Sequence, residues 1–432
     1  MLTRSQSRRL LLAAALGVLV MPLAAWPSEL TLRDALQRTL RSNPDLSAYH
    51  YVLTAQDGRI VQAGLKPNPT LTGTLENVFG TGEVRRTRSA ELSLSLSQLV
   101  ELGGLRDVRV SVARGERERL EVEGHVRRLD AVADTARRFV AVVSQQQLHQ
   151  LTHLAVELAE KTATAVDRRV NAAKSPLAEQ HRARVALERA RNDDAHAEHE
   201  LNTARYELAA SWGVTEPDFD AVAADLYALT PLADYPQLVS ELEKSPDFTR
   251  YLSESRLRDA EITLALANRR PGVEVGVGLR RLQASGDTAL LFSVGVPLPV
   301  FNRNQGAIAE AQARREVVDA DRAAALVKAR TALFGHYQEL LDRRREVEAL
   351  TARALPNSES ALANTEYAYE RGRYGYLELI DAQRELLAVK RDRIAAATQY
   401  HLTLIEIERL TGTAVSDVRA EQVRASEAGS RP

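Results

Sequence analysis

Ser89-Ala90-Glu91-Leu92-Ser93-Leu94-Ser95-Leu96 alternates without a break, with Ala90, Leu92, Leu94 and Leu96 on one face and Ser89, Glu91, Ser93 and Ser95 on the other. A period of two belongs to a sheet with one apolar and one wet face. A partner run lies upstream in residues 70–79, where Leu71, Gly73 and Leu75 oppose Thr70, Thr72, Thr74 and Glu76. Only residues 80–88 separate the two runs, so they read as a hairpin. A second pair has the same form. Val273, Val275, Val277 and Leu279 oppose Gly272, Glu274, Gly276, Gly278 and Arg280, and Phe292, Val294 and Val296 oppose Ser293 and Gly295 across residues 283–287.

The second hairpin is one sign of a duplication. Asn43-Pro44-Asp45-Leu46, with Tyr49 behind it, returns as Ser245-Pro246-Asp247-Phe248 with Tyr251, and Pro69 returns as Pro271 at the same offset of 202. Leu99 and Leu102 match Leu298 and Phe301, Leu177 and Arg184 match Leu377 and Arg384, and Gly213 matches Gly412, at offsets of 199 to 200. The chain therefore reads as two tandem copies of one unit.

Outside the hairpins the chain is short of helix breakers. No proline occurs between Pro69 and Pro176, and beyond Pro299 only Pro356 and Pro432 remain. Asn43 and Ser245 are helix caps followed by Pro at the first helical position, and each starts a helix of about 22 residues. Residues 104–172 and 304–371 predict helices about 100 Å long. Turns at 172–175 and 372–375 lead into return helices over 176–211 and 376–411. Those cover about 54 Å and the first helices about 33 Å, so one long helix packs against two shorter ones stacked end to end. The fold class is mainly α with β, a duplicated strand-strand-helix-helix unit. The expected organisation is a signal peptide at 1–25, a first repeat at 26–212 with its hairpin at 70–99, and an equatorial linker at 213–243. A second repeat at 244–412 with its hairpin at 271–298 and a tail at 413–432 complete it.

Composition narrows the function. Among 432 residues, 57 basic side chains balance 58 acidic ones, which argues against a nucleic-acid partner. No cysteine is present, so disulfides, Cys-ligated zinc, a thiolate nucleophile and a lipid anchor on an N-terminal cysteine are excluded. No phosphate loop, nucleophile elbow or zinc-hydrolase motif occurs, so neither an enzyme nor a cofactor is expected. Arg4, Arg8 and Arg9, the apolar run 10–20 and the small residues Ala24 and Ala25 form an export signal. No later apolar run is long enough for a transmembrane helix. Four strands cannot close a barrel, and an open edge in hydrocarbon leaves backbone groups unpaired. Three chains would supply twelve strands, so the residues alone point to an exported oligomeric tube.

This duplicated unit with its export signal resembles the TolC family of outer-membrane efflux channels, from Leu30 to Gly412. Pro297-Leu298-Pro299-Val300-Phe301-Asn302-Arg303-Asn304-Gln305-Gly306 is similar to the strand-to-helix junction of the cobalt-zinc-cadmium resistance (CzcC-like) branch, as is Val100-Glu101-Leu102-Gly103-Gly104. Tyr369-Glu370-Arg371-Gly372, Leu377 and Asp381-Ala382-Gln383 resemble the family's helical tip. The resemblance implies a homotrimer, a twelve-stranded outer-membrane β-barrel in outer-membrane lipid and a periplasmic α-helical barrel. It also implies docking to a periplasmic adaptor protein and an inner-membrane RND pump. The chain would be the passive outer-membrane channel of a tripartite efflux pump for heavy-metal cations. A channel of the same fold for drugs or secreted proteins, and a periplasmic coiled-coil adaptor or scaffold, are the alternatives.

The resemblance places Glu378 and Asp381 at the periplasmic constriction, where three copies would stack two carboxylate rings. An ordinary dipole-complementing role at a helix N-terminus is the competing reading. Ala173, Lys174, Ser175 and Pro176 in the first tip and Gly372, Arg373, Tyr374 and Gly375 in the second are the adaptor-contact residues it implies. The first tip departs from the family pattern by having Asn171-Ala172-Ala173 in place of glycine. Pro356, matched by Val156 in the first copy, predicts a helix kink. His149 and His153 at i, i+4, and His196 and His199 at i, i+3, lack a third ligand and read as solvated or lumen-facing, so no metal site is expected. Arg85, Arg86 and Arg88 crowd the first hairpin loop, where they face either anionic lipopolysaccharide or solvent.

Overall fold

The computed structural model describes residues 29–230 and 233–413, so the expected signal peptide and nearly all of the 413–432 tail lie outside the described residues. In chain order the elements are α1 (Leu32–Ser42), α2 (Pro44–Ala63), β1 (Thr70–Glu76), β2 (Glu91–Val100), α3 (Leu105–Asn171) and α4 (Leu177–Ala210). The second half repeats this order with α5 (Tyr235–Lys244), α6 (Pro246–Ala267), β3 (Val273–Leu282), β4 (Thr288–Gly295), α7 (Gln305–Ala349), α8 (Leu355–Glu370) and α9 (Tyr376–Thr411). A five-residue π-helical segment, Leu350–Ala354, joins α7 to α8.

The helices stand in four adjacent columns. Column one is α2 followed by α4, column two α3, column three α6 followed by α9, and column four α7 with α8. α3 packs on α2 and α4 on one side and on α6 and α9 on the other, while α7 packs on α6 and α9. Two glycines mark where the shorter helices meet. Gly213, φ +78°, ends the α4 segment beside Pro44 at the start of α2, and an added Cβ would come within 3.1 Å of that ring. Gly412, φ +75°, does the same at the end of α9 against Pro246 of α6, at 3.2 Å. Both positions need left-handed backbone and close approach, which only glycine supplies without strain. Asn43 strengthens the first junction, its Oδ1 accepting from the Leu46 N–H at 3.0 Å and its Nδ2 donating to the Ser211 carbonyl at 2.9 Å.

The sheet is antiparallel in the order β1-β2-β3-β4, so each strand continues one column. The register puts Leu71, Leu96, Val277 and Phe292 in one row and Gly73, Leu94, Leu279 and Leu290 in the next. These apolar rows stay exposed, with Phe292 at 80%. Left-handed residues mark the passage from strand to helix. Gly104, φ +73°, precedes α3, and Asn304, φ +60°, holds the matching place before α7 while its Nδ2 donates to the Ala265 carbonyl at 2.7 Å.

Three details go beyond the periodicity of the sequence. β2 runs four residues past the quoted alternation, and the first hairpin loop spans 77–90, because Asn77 and Phe79 turn left-handed directly after β1. A short helix precedes each of α2 and α6: α1 capped by the Thr31 hydroxyl on the Asp34 N–H, and α5, which begins inside the expected linker 213–243 and ends one residue beyond it at Lys244. Residues 213–229 are irregular and lie on the helix waist, where Trp212, Phe219, Val222 and Leu226 join Phe139, Val142, Leu208 and Ala397 in one buried cluster.

Candidate functional site

The two helical tips are built alike. After α3 the Lys174 N–H donates to the Arg169 carbonyl at 2.8 Å and the Ala173 N–H to the Val170 carbonyl at 2.9 Å. After α8 the Arg373 N–H donates to the Ala368 carbonyl and the Gly372 N–H to the Tyr369 carbonyl, both at 2.9 Å. Each is a Schellman motif, which needs a left-handed residue after the helix. Gly372 supplies it at φ +73°, and Ala173 adopts it at φ +56° although it carries a Cβ. The departure from glycine thus leaves the turn geometry intact. The caps set a tip-to-tip offset of 199, so Leu177 takes the place of Tyr376 and not of Leu377 as the sequence pairing has it. Lys174, Pro176, Arg373, Tyr374 and Gly375 are exposed, and Ser175 is half-buried.

A cationic bridge that no local pattern announces joins the tips. Arg169 donates to the Tyr369 carbonyl at 2.9 Å and to Ser175 Oγ at 3.2 Å, and its guanidinium lies 4.6 Å from the Tyr369 ring centre. Beneath it Tyr369 and Tyr376 are buried with Val166, Ala183 and Leu379, and burial raises both phenol pKa values. One turn further in, Gln383 Nε2 donates to Thr162 Oγ1 at 3.0 Å, a buried polar link between α9 and α3. The Asp381-Ala382-Gln383 run was the signal available for it.

Glu378 and Asp381 are both exposed on the first turns of α9. Glu378 Oε2 accepts from the Gly375 N–H at 3.0 Å, so it caps the helix that carries it. Asp381 opens into a groove of about 680 Å3 that runs over α3 between α4 and α9, lined by Thr162, His181, Arg182, Gln383 and Arg384. The helix-terminus role and the exposure needed for a pore role therefore coexist at Glu378.

Pro356 lies in the first turn of α8, directly after the π-helical segment, while α3 runs unbroken through Val156. A proline lacks the N–H for its i−4 carbonyl, and a π bulge is one way to absorb that loss. His149 Nε2 and His153 Nδ1 lie 3.8 and 3.7 Å from the two oxygens of Asp194, which Thr152 Oγ1 also holds at 2.8 Å. His196 is 4.0 Å from Glu200, and among the described residues no group of three His, Cys, Asp or Glu could hold a metal ion. Arg85, Arg86 and Arg88 are exposed on the first hairpin loop. Sequence reasoning passed over His401, which holds residues 213–229 to α9. Its Nε2 lies 2.9 Å from the Leu226 carbonyl and its pKa is lowered by burial.

No helix among the described residues is long and apolar enough to cross a membrane. The family model described as "Outer membrane efflux protein" matches residues 35–214 and 238–413. The chain is 29% identical to the cobalt-zinc-cadmium resistance protein CzcC of Cupriavidus metallidurans, over 89% of this chain and 90% of that one. It is 26% identical to the nickel and cobalt resistance protein CnrC of the same organism, over 66% and 69%. Among solved structures, CusC superposes with a TM-score of 0.75 at 18% identity, covering 88% of this chain and 91% of that one. The outer membrane protein VceC of Vibrio cholerae gives 0.71 at 17%, covering 88% and 96%.

Proposed function

The chain belongs to the outer membrane efflux protein family, and from that premise we propose that it is one third of a homotrimeric conduit for heavy-metal cations. It is an outer-membrane efflux channel that extends into the periplasm. The observation that carries the trimer is the four-stranded sheet with β1 and β4 unpaired at its edges and an exposed apolar face. Edge groups in hydrocarbon cost several kcal/mol each, and pairing β1 of one copy with β4 of the next removes them. Three copies bring twelve strands, within the range of known barrels. A periplasmic adaptor, the alternative function, has no use for two hairpins with a lipid-facing side.

Two relatives named for resistance to cobalt, zinc, cadmium or nickel support divalent metal cations as cargo. The exposed carboxylates Glu378 and Asp381 suit that cargo, and in a trimer they form acidic rings at the narrow end. The tips, from Ala173 to Pro176 and from Gly372 to Gly375, are the proposed docking points for a periplasmic adaptor that couples the conduit to an inner-membrane RND pump. The π-helical segment before Pro356 is the proposed flexing point of column four. The conduit itself is passive, and no residue is assigned a catalytic step.

Deleting the gene should raise sensitivity to zinc, cobalt or cadmium, and the purified protein should form a detergent-stable trimer that conducts in planar bilayers. A soluble monomer would sink the conduit. A conducting trimer whose loss leaves metal tolerance unchanged would sink only the cargo.

A further inference from the structure

The end of the sheet away from the helices is closed by residues 77–90 and 283–287. The apolar face ends there on Arg281, which follows Val277 and Leu279 on the same side of β3 and lies across from Leu92 and Thr288. Arg281 is exposed and donates to the Gly286 carbonyl and to Thr288 Oγ1 at 3.4 Å. Arg85, Arg86 and Arg88 are exposed on the longer loop beside it. The structure shows no ion pair for these four arginines among the described residues. Arg280, one residue away on the wet face, behaves differently. It is held by Glu91 at 3.0 Å, Glu76 at 3.5 Å and Ser93 Oγ at 2.9 Å. Four guanidinium groups against the two loop acids, Glu83 and Asp287, leave two net positive charges on this rim in each copy. At the opposite end of the apolar face Val100 lies across from Val273, and the exposed Lys66, Arg269, Arg270 and Arg303 stand on the connections to the helices.

The loop is held in the shape that presents these groups. The Phe79 N–H donates to the Arg86 carbonyl at 2.8 Å and the Gly80 N–H to the Val84 carbonyl at 3.1 Å, so the hairpin continues past the end of β1. Phe79 and Arg86 are both left-handed, at φ +59° and +62°, and Phe79 is 81% exposed. From Val273 to Arg281 the strand advances about 26 Å, or about 20 Å along the membrane normal at a tilt of about 40°. That places the basic rim and an exposed aromatic ring together at one edge of the apolar band, at the depth where a bilayer puts its headgroups.

We infer that this rim is a binding surface for the phosphorylated glycolipid headgroups of the outer leaflet. Arginine forks match phosphate oxygens in a bidentate way, and unpaired guanidinium groups beside a phosphate layer gain charge-assisted hydrogen bonds. The inference rests on the outer-membrane channel reading, because it needs the apolar face in lipid and the hairpin loops outside.

The test uses the full-length trimer, delipidated in detergent and titrated with lipid A, with bound copies counted by native mass spectrometry. An arginine beside an anionic headgroup layer is worth about fivefold in partitioning at low salt, so removing several should weaken binding about tenfold or more. Lipid A should bind the wild type at least that much more tightly than R85S/R86S/R88S/R281S, and enzymatically dephosphorylated lipid A should bind both proteins as weakly as the variant binds lipid A. If Arg281 proves necessary for assembly, the loop variant R85S/R86S/R88S carries the comparison with the same expected direction. Equal binding by wild type and variant, or equal binding of phosphorylated and dephosphorylated lipid A, overturns the inference and leaves solubility as the role of these arginines. Conductance in a phosphatidylcholine bilayer is read in parallel and should be the same for wild type and variant. A wild type that never conducts counts against the channel reading, whatever the lipid titration gives.

Discussion

Ala173 holds the left-handed position of a Schellman motif, and replacing it with glycine should tighten the first tip. A non-glycine residue in that region costs about 1–2 kcal/mol relative to glycine. Glycine returns about 0.4–1 kcal/mol of this through the greater freedom of the opened chain. The net gain for Ala173→Gly is about 1 kcal/mol, or about fivefold in the local opening equilibrium. Gly372→Ala is the mirror experiment. No atom lies within 4 Å of a Cβ added there, so the loss comes from the backbone alone and should also be about fivefold. Hydrogen exchange by mass spectrometry on the tip peptides reads both changes through the amides of Ala173 and Lys174 and of Gly372 and Arg373. The expected result is slower exchange in the first tip for Ala173→Gly and faster exchange in the second for Gly372→Ala. If both variants leave exchange unchanged, or Ala173→Gly speeds it, the assignment of strain to Ala173 is wrong.

Other tests address charge and pH. Glu378→Gln with Asp381→Asn keeps an acceptor for the Gly375 N–H while removing the carboxylates, so it should raise single-channel conductance and lower cation selectivity in planar bilayers. Unchanged values would leave Glu378 as a helix cap and nothing more. Burial lowers the His401 pKa, so the unfolded chain binds the proton more readily than the folded one. Stability is then fully present above the ordinary imidazole pKa and falls as pH drops from there toward the depressed folded value. Thermal melts between about pH 7.5 and about pH 5.5 should show this decline in the wild type and a flatter profile in His401→Gln. Identical pH profiles would remove His401 from the account.

The fold was legible where physics acts locally. Alternation at Leu92, Leu94 and Leu96 marked β2, and the proline gaps marked α3 because nothing in them stops a helix. Boundaries that depend on backbone sign were not visible, since Asn77 and Phe79 can take either hand and only the loop decides. The cap signal of α1 was present, with Thr31 bonding Asp34 and Ala35, Leu36 and Thr39 buried on one face, but the helix is short. At Pro356 the missing donor was plain, whereas the choice between a simple kink and a π segment belongs to the packing around it. The site was read more coarsely. Glu378 and Asp381 stand out through a resemblance, and the capping bond of Glu378 depends on how the tip folds. The Arg169 bridge to Tyr369 spans 200 residues and leaves no local trace.

Each strand continues one helical column, and this pairing has a hydraulic consequence in the proposed trimer. Twelve strands about 4.8 Å apart, tilted by about 40°, give a wall about 75 Å round and a radius of about 12 Å. Twelve helical columns about 9–10 Å apart give a ring of radius about 18 Å, and subtracting a helix half-width of about 5–6 Å leaves about 12 Å. Helices are twice as thick as strands are spaced, yet with the strand tilt the inner surface of the helices falls at about the radius of the strand backbone. Cargo crossing from periplasm to membrane meets a helical wall flush with the strand backbone, so the inward side chains of the barrel alone narrow the join.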